Sequence, residues 1–127
     1  MGRMQRNKGK VGERELVRAL RDLGLVDSHR GQQFRGGGDS PDVVAGEGLH
    51  LECKRVERLH LWGALDQATS DAAEGAIPVV AHRCNKRPWV VILRLDDAVK
   101  AAEALLRLIG RDRDGAADTE QGAAVGA

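Results

Sequence analysis

The stretch that decides the fold reads PDVVAGEGLHLECK, residues 41–54. Apolar residues dominate it on both sides of Gly46-Glu47-Gly48, a loop composition typical of a tight β-hairpin. If the loop has three residues, counting outward along both strands places Asp42 opposite Glu52. Side chains paired in this way lie roughly 5 Å apart. The sequence therefore predicts a β-hairpin that brings two carboxylates together.

Side chains alternate between the two faces of a strand, so Lys54 is expected beside Glu52, and Cys53 on the opposite face. Two carboxylates and an ammonium group would then converge. Carboxylate oxygens suit Mg²⁺, or Mn²⁺ in its place, and such an ion often completes its shell with water and substrate phosphate. The hairpin thus predicts a site for metal-assisted attack of water on a phosphate, with Lys54 orienting the water or stabilising the developing charge.

Other interpretations of these residues stay open. Taken alone, Asp42, Glu52 and Lys54 are equally well explained as a cross-strand ion pair. Gln67, on the helix that follows, could reach a phosphate or a metal-bound water, and it also suits an ordinary surface position. Three histidines match no zinc-binding spacing and are interpreted as solvated or structural: His50, His60 and His82.

The first helix supplies one further acidic candidate. Leu16, Leu20 and Leu23 form an apolar stripe at helical spacing, and Glu13 extends that stripe by one turn. Glu13 is therefore expected on the side that faces the core, although a carboxylate favoured by the helix dipole explains it as well. Glu15 points elsewhere and is expected to be solvated.

The remaining periodicity predicts one α/β domain over residues 1–110, with the element order α-β-β-β-α-β-β-α. Residues 111–127 are rich in Gly, Ala and Asp and are expected to form a disordered tail. The last two strands are Val- and Ile-rich, the composition of buried central strands. The further elements are helices from about Lys10 to Gly24, from Leu59 to Gly75 and from Asp96 to about Ile109, and strands over Ser28–Phe34, Ile77–His82 and Trp89–Leu95.

Composition excludes several classes of protein. No apolar run approaches the ~18 residues of a membrane span, and two cysteines are too few for a disulfide scaffold, so a reducing cytoplasm is expected. Three aromatic residues do not provide a stacking platform for single-stranded nucleic acid. The net charge is only +1, yet residues 1–18 hold six basic residues against two acidic ones. This basic N-terminal segment favours a phosphate-rich partner, although a solvated helix face explains its arginines too.

Together these residues resemble the PD-(D/E)xK nuclease superfamily, whose motif is filled literally by Pro41-Asp42 and Glu52-Cys53-Lys54. Within it, the chain is similar to archaeal-type Holliday junction resolvases, in a form that suits a bacterial or phage gene. That family begins with a basic-glycine element leading into Glu-Arg-Glu-Leu, which residues 8–16 match, and continues with the pattern seen at residues 42–48. The resemblance extends from about residue 8 to residue 95.

The resemblance implies a restriction-endonuclease-like fold, in which a central mixed five-stranded sheet is flanked by helices. It also implies a Mg²⁺-dependent endonuclease that resolves four-way DNA junctions by paired symmetric nicks, acting as a homodimer without membrane attachment. The implied catalytic residues are Glu13, Asp42, Glu52, Lys54 and Gln67, and the metal ligands are Asp42, Glu52, Glu13 and the backbone carbonyl of Cys53. The implied DNA contacts are Lys8, Lys10, Arg14, Arg30, Arg35, Arg55 and Arg83.

Two alternative functions share this pattern. One is a general repair or restriction-type nuclease of the same fold, which would cut linear duplex as readily as a junction. The other is a DNA-binding module without activity, which would bind with a steep salt dependence and no turnover. The presence of Asp42, Glu52 and Lys54 together favours an enzyme.

Overall fold

The computed structural model describes residues 2–31 and 41–116, with side chains over residues 9–31 and 41–110. These residues form an α/β domain with three helices and one mixed five-stranded sheet, as expected. The helices are α1 (Gly2–Asp22), α2 (Leu61–Asp71) and α3 (Ala98–Ala116), and the strands are β1 (His29–Arg30), β2 (Val43–Val44), β3 (Leu49–Arg55), β4 (Ile77–Arg83) and β5 (Val90–Ile92), with a 3₁₀ turn at Leu95–Asp97 before α3.

The strands lie in the sheet in the order of the sequence, β1-β2-β3-β4-β5. Neighbours are antiparallel except β3 and β4, which are parallel and joined through α2. In the hairpin, Val43 pairs with Leu51, the register expected from a three-residue loop. Asp42 precedes β2, and its side chain lies within hydrogen-bond distance of Glu52. The register predicted from a three-residue loop is therefore confirmed.

The sheet separates two apolar cores. Leu49 and Leu51 of β3 are buried in the larger core, which is shared with α1, β4 and α3. On the other face, Val80 of β4 is buried beneath the small residues of α2. Because strand side chains alternate, the even positions of β3 lie on the α2 face. These positions are His50, Glu52 and Lys54.

The C-terminus of α1 is closed by a Schellman motif. Gly24 adopts φ +107°, a conformation that glycine reaches without strain. Its N–H donates to the Arg21 carbonyl, and the Leu25 N–H donates to the Leu20 carbonyl, each over 3.0 Å. Leu25 is thereby turned into the core, whereas Leu23 is 72% exposed. Assigning Leu23 to the apolar stripe was wrong, because the reversal at Gly24 gives the core position to Leu25.

Two helices are longer than the sequence pattern predicted. α1 begins at Gly2 rather than near Lys10, and α3 continues through Gly110. The tail expected from residue 111 is therefore helical over residues 111–116, because a single glycine costs a helix only about 1 kcal/mol. Residues 117–127 lie outside the described part of the chain. None of the helices within the described ranges has the length and hydropathy that a membrane span requires.

The last strand differs from its prediction. Trp89–Leu95 was expected to be a buried central strand, but β5 covers only Val90–Ile92 and pairs with β4 at the edge of the sheet. Val90 and Val91 are exposed as a result. A short apolar run does not distinguish a central strand from an edge strand, because that depends on which neighbours pair with it. Residues 32–34 of the predicted first strand lie outside the described ranges.

Candidate active site

Asp42 immediately precedes β2 and is held against β3 by two hydrogen bonds. Its backbone N–H donates to the Leu51 carbonyl over 3.0 Å. Its Oδ2 accepts from the Cys53 backbone N–H over 2.9 Å. A carboxylate is a strong acceptor for such a bond, so the side chain is fixed beside the strand that carries Glu52.

Glu52 is a buried acid, with 4% of its surface exposed. Burial raises its pKa to about 8, and the negative charge of Asp42 and a side-chain hydrogen bond with Asp42 add to the shift. The Lys54 ammonium opposes this effect, while the Asp71 carboxylate adds to it. Glu52 therefore keeps its proton at neutral pH as long as no cation compensates the charge around it.

A divalent cation fits this pair of acids. Burial and, after it, the neighbouring Asp42 and Asp71 carboxylates raise the pKa of Glu52, and a bound cation would offset the repulsion between these charges. Among the described residues, no group of three His, Cys, Asp or Glu side chains is arranged to hold a metal. Asp42 and Glu52 would thus be the side-chain ligands. Mg²⁺ and Mn²⁺ are compatible with so few protein ligands, whereas Zn²⁺ normally requires three or four.

Lys54 lies on the same face as Glu52, as strand alternation predicted. Its Nζ donates to Oε1 of Gln67 on α2 over 3.4 Å, and its charge acts on the Glu52 carboxyl. Gln67 itself is exposed. The structure thus brings Asp42, Glu52, Lys54 and Gln67 together, and Gln67 reaches the group by contacting the lysine.

Sequence reasoning missed two polar residues of this face. His50 is buried, and its Nε2 lies 2.7 Å from Oε1 of Glu52. Burial lowers the pKa of His50, while the charges of Asp71 and Asp42 raise it. Asp71 ends α2, one turn beyond Gln67. The available signals were the i, i+2 spacing of His50 from Glu52 and the i, i+4 spacing of Asp71 from Gln67.

Glu13 lies apart from this group, on the α1 side of the sheet. Its Oε1 accepts from Nε of Arg30 over 3.0 Å. Its charge helps to raise the pKa of Cys53 but is not among the charges that shift the pKa of Glu52. Because α1 and α2 pack on opposite faces of the sheet, Glu13 lies on one side of β3 and the Glu52 side chain points to the other. The expectation that Glu13 faces inward agrees with its half-buried position, but its partner is Arg30.

Cys53 points toward α1, as alternation predicted. Burial raises the pKa of its thiol to about 12, and the charges of Asp42, Glu13 and Glu15 add to the shift. The thiol is therefore neutral at physiological pH and is not a nucleophile. The backbone of Cys53 does reach the site, since its N–H binds Asp42.

Glu15 is not solvated, contrary to expectation. Its Oε1 accepts from Nε of Arg55 over 3.3 Å and from Nη1 of Arg83. Arg55 also donates to Asn85 over 3.0 Å and to Glu57 over 3.5 Å. The network ties α1 to the ends of β3 and β4. Arg55 and Arg83, both expected to contact DNA, are therefore engaged within the protein.

An arginine-lined groove of about 530 Å³ lies between α1 and β1. Arg14, Arg18 and Arg21 are spaced i, i+4 and i+7, so they form one row about 10 Å long on α1. Arg14 and Arg18 are exposed, and neither makes a hydrogen bond or ion pair with another described residue. The groove lies on the α1 side of the sheet, whereas Glu52, Lys54 and Gln67 lie on the α2 side. The main chain links the two, since Gly31, which follows Arg30, donates its N–H to the Asp42 carbonyl over 2.9 Å. Its polar lining is Arg14, Arg18, Arg21, Asp22, His29 and Arg30.

The other predicted DNA contacts are less informative. Lys10 is exposed near the start of the described side chains. The side chain of Lys8 and the whole of Arg35 lie outside the residues that the structure describes. The groove therefore includes Arg14 and Arg30 of the expected contacts, of which Arg30 is paired with Glu13. It also includes Arg18 and Arg21, which were not among the predicted DNA contacts.

Compared with family models, curated proteins and solved structures, the chain matches none. The likeness to the PD-(D/E)xK superfamily accordingly rests on the motif at residues 41–54 and on the resemblance of residues 8–95.

Proposed function

We propose that the protein is a Mg²⁺-dependent DNA endonuclease of the restriction-endonuclease-like fold, acting on four-way junctions. The observation that carries the proposal is the proximity of Asp42 and Glu52, whose side chains share a hydrogen bond, beside Lys54. Burial is the main cause of the raised pKa of Glu52, and the charges of Asp42 and Asp71 add to it in spite of the lysine. A buried acid beside a second carboxylate is an arrangement that a bound cation would stabilise.

In this proposal Asp42 and Glu52 hold the cation, which lowers the pKa of a bound water and offsets charge on the reacting phosphate. Lys54 remains free to direct its ammonium at a phosphate oxygen, because its contact with Gln67 is long and exposed. Gln67 limits the positions that the flexible lysine can adopt. Asp42 keeps its orientation through the Cys53 N–H while Glu52 loses its proton.

The arginine-lined groove supports a nucleic acid as the substrate. Its row of about 10 Å corresponds to about three steps along one strand at a rise of about 3.4 Å each. Arg30 stands next to Gly31, which hydrogen-bonds the Asp42 carbonyl, so a strand bound in the groove would lie on the α1 side of the sheet, one main-chain hydrogen bond from Asp42. Phosphate contacts of this kind position a strand without selecting its sequence.

Selectivity for four-way junctions rests on the resemblance to junction resolvases. In that arrangement two copies of the chain each present one site, and opposed strands are nicked symmetrically. An inactive DNA-binding module would require no pair of neighbouring acids beside a lysine, so we favour the enzyme.

The deciding experiment compares a labelled four-way junction with a linear duplex of the same arm sequence, each with Mg²⁺ and with EDTA. The proposal expects paired nicks near the branch point in Mg²⁺ alone. Equal cutting of both substrates would replace the junction-selective enzyme by a general nuclease. Binding without any cutting in Mg²⁺ or Mn²⁺ would exclude an enzyme.

A further inference from the structure

A buried histidine contacts the acid at the centre of the proposed site. Nε2 of His50 lies 2.7 Å from Oε1 of Glu52, and their side chains are 3% and 5% exposed. Both residues face α2 from alternate positions of β3, so the contact is enclosed between the sheet and the helix. Among the described residues Glu52 is the hydrogen-bond partner of the His50 ring.

The two acids of the site are thus constrained in the same way. Asp42 offers one oxygen to the Cys53 N–H, and Glu52 offers one oxygen to His50. In each case a donor of the protein engages one carboxylate oxygen and so restricts the orientation of the carboxyl group, while the two acids also share a hydrogen bond with each other. Hydrogen bonds of this kind orient metal-binding carboxylates, and their loss typically weakens metal binding by about 10–100-fold.

We infer that His50 is a positioning residue that orients the Glu52 carboxylate toward a divalent cation. This inference rests on the proposed function. A long acidic side chain has several accessible rotamers, and a ring held rigidly in the core selects one of them. The PD-(D/E)xK motif itself specifies no histidine at this position.

The test measures Mn²⁺ binding to the free protein by titration calorimetry, for wild type and three variants at one fixed pH. His50→Leu removes the hydrogen bond at similar volume and is expected to weaken Mn²⁺ binding at least about tenfold. His50→Gln keeps an N–H donor at similar reach and is expected to stay within about threefold of wild type. His60→Gln, an exposed histidine outside the site, serves as the matched control and should bind as wild type does.

A purely structural role predicts a different pattern, in which thermal stability falls while the Mn²⁺ affinity of folded His50→Leu equals that of wild type. That pattern would overturn the inference. If His50→Leu does not fold, His50→Asn replaces it, because its shorter side chain does not reach Glu52, and wild-type affinity in that variant would overturn the inference as well. Failure of wild type itself to bind Mn²⁺ would instead overturn the proposed function, and the inference with it.

Discussion

Oδ2 of Asp42 accepts a hydrogen bond of 2.9 Å from the backbone N–H of Cys53, the residue that follows Glu52. Asp42, just before β2, is therefore fixed to the strand that carries Glu52. Because the donor of this hydrogen bond is a main-chain N–H, the bond persists when either acidic side chain is replaced by one that keeps a hydrogen-bond acceptor. Each of the two carboxylates can accordingly be neutralised separately by substitution while the hairpin stays intact.

We expect Asp42→Asn and Glu52→Gln each to reduce junction cleavage at least about 100-fold while leaving junction binding within a few-fold of wild type. Both amides keep an acceptor oxygen, so the hairpin persists while the charge that holds the cation is lost. Single-turnover cleavage in Mg²⁺ and gel-shift titration in EDTA measure the two effects separately. Loss of binding together with cleavage would show that these acids serve the fold instead.

Stability should fall as pH rises through neutrality. The folded-state pKa of Glu52 is raised from 4.5 to about 8, so between these values the native state holds a proton that the unfolded state has released. Unfolding then releases a proton, and higher pH favours the unfolded state. The lowered pKa of His50 acts in the opposite direction, but only below its ordinary value of 6.5.

The pH window from about 6.5 to 8.5 therefore isolates Glu52. In urea denaturation without metal, wild type should lose stability across this window relative to Glu52→Gln, which mimics the protonated acid. Parallel profiles for the two proteins would contradict the raised pKa. Cation binding must displace the same proton, so Mn²⁺ affinity should rise with pH below 8, approaching tenfold per unit.

Lys54 and Gln67 should differ in importance. Lys54→Met removes the ammonium group that the proposal directs at the reacting phosphate, and it is expected to lower kcat at least about 100-fold. Gln67→Ala removes only a long, exposed contact to Lys54 and should lower kcat less than about tenfold. Steady-state kinetics on the junction compare the two. An equal loss in both variants would make Gln67 a direct participant.

Neutralising Glu15 should loosen two arginines. Glu15→Gln breaks the charge pairing with Arg55 and Arg83, which is partly buried, and should lower the free energy of unfolding by about 1–2 kcal/mol. Arg55 keeps its bonds to Asn85 and Glu57, and Arg83 keeps its bond to the Arg87 carbonyl. If the loosened arginines contact DNA, as the sequence predicted, junction binding should tighten at the same time. Denaturation and gel shift on one preparation test both. Weaker binding would indicate that the network holds the arginines in their binding positions.

The arginine row should control the salt dependence of binding. Arg14→Ala with Arg18→Ala removes two exposed cations and should reduce the slope of log K against log salt by about 2, whatever the DNA sequence. Lys100→Ala, an exposed cation on α3, serves as the charge control and should leave the slope nearly unchanged. An identical salt-dependence slope in wild type and both variants would show that the groove is not part of the DNA-binding surface.

Part of the site was predictable because it is local. The spacing of Asp42 from Glu52 across three loop residues set the register, and strand alternation put Lys54 beside Glu52 and Cys53 on the far side. The edge position of β5 was not predictable, because an apolar run of three to seven residues is compatible with either location in a sheet. The ion pairs of Glu15 were not predictable either, because its partners lie 40 and 68 residues away along the chain.

By itself, the amino-acid sequence determined the hairpin, its register and the two faces of β3, since all three depend on period-two geometry within 13 residues. Only the tertiary structure decided which helix covers each face. Packing of α2 over the even positions buried His50 against Glu52 and brought Gln67 and Asp71 to the same side. Packing of α1 on the other face directed Glu13 to Arg30 and Glu15 to Arg55 and Arg83. Such contacts join residues distant along the chain, and no local periodicity encodes them.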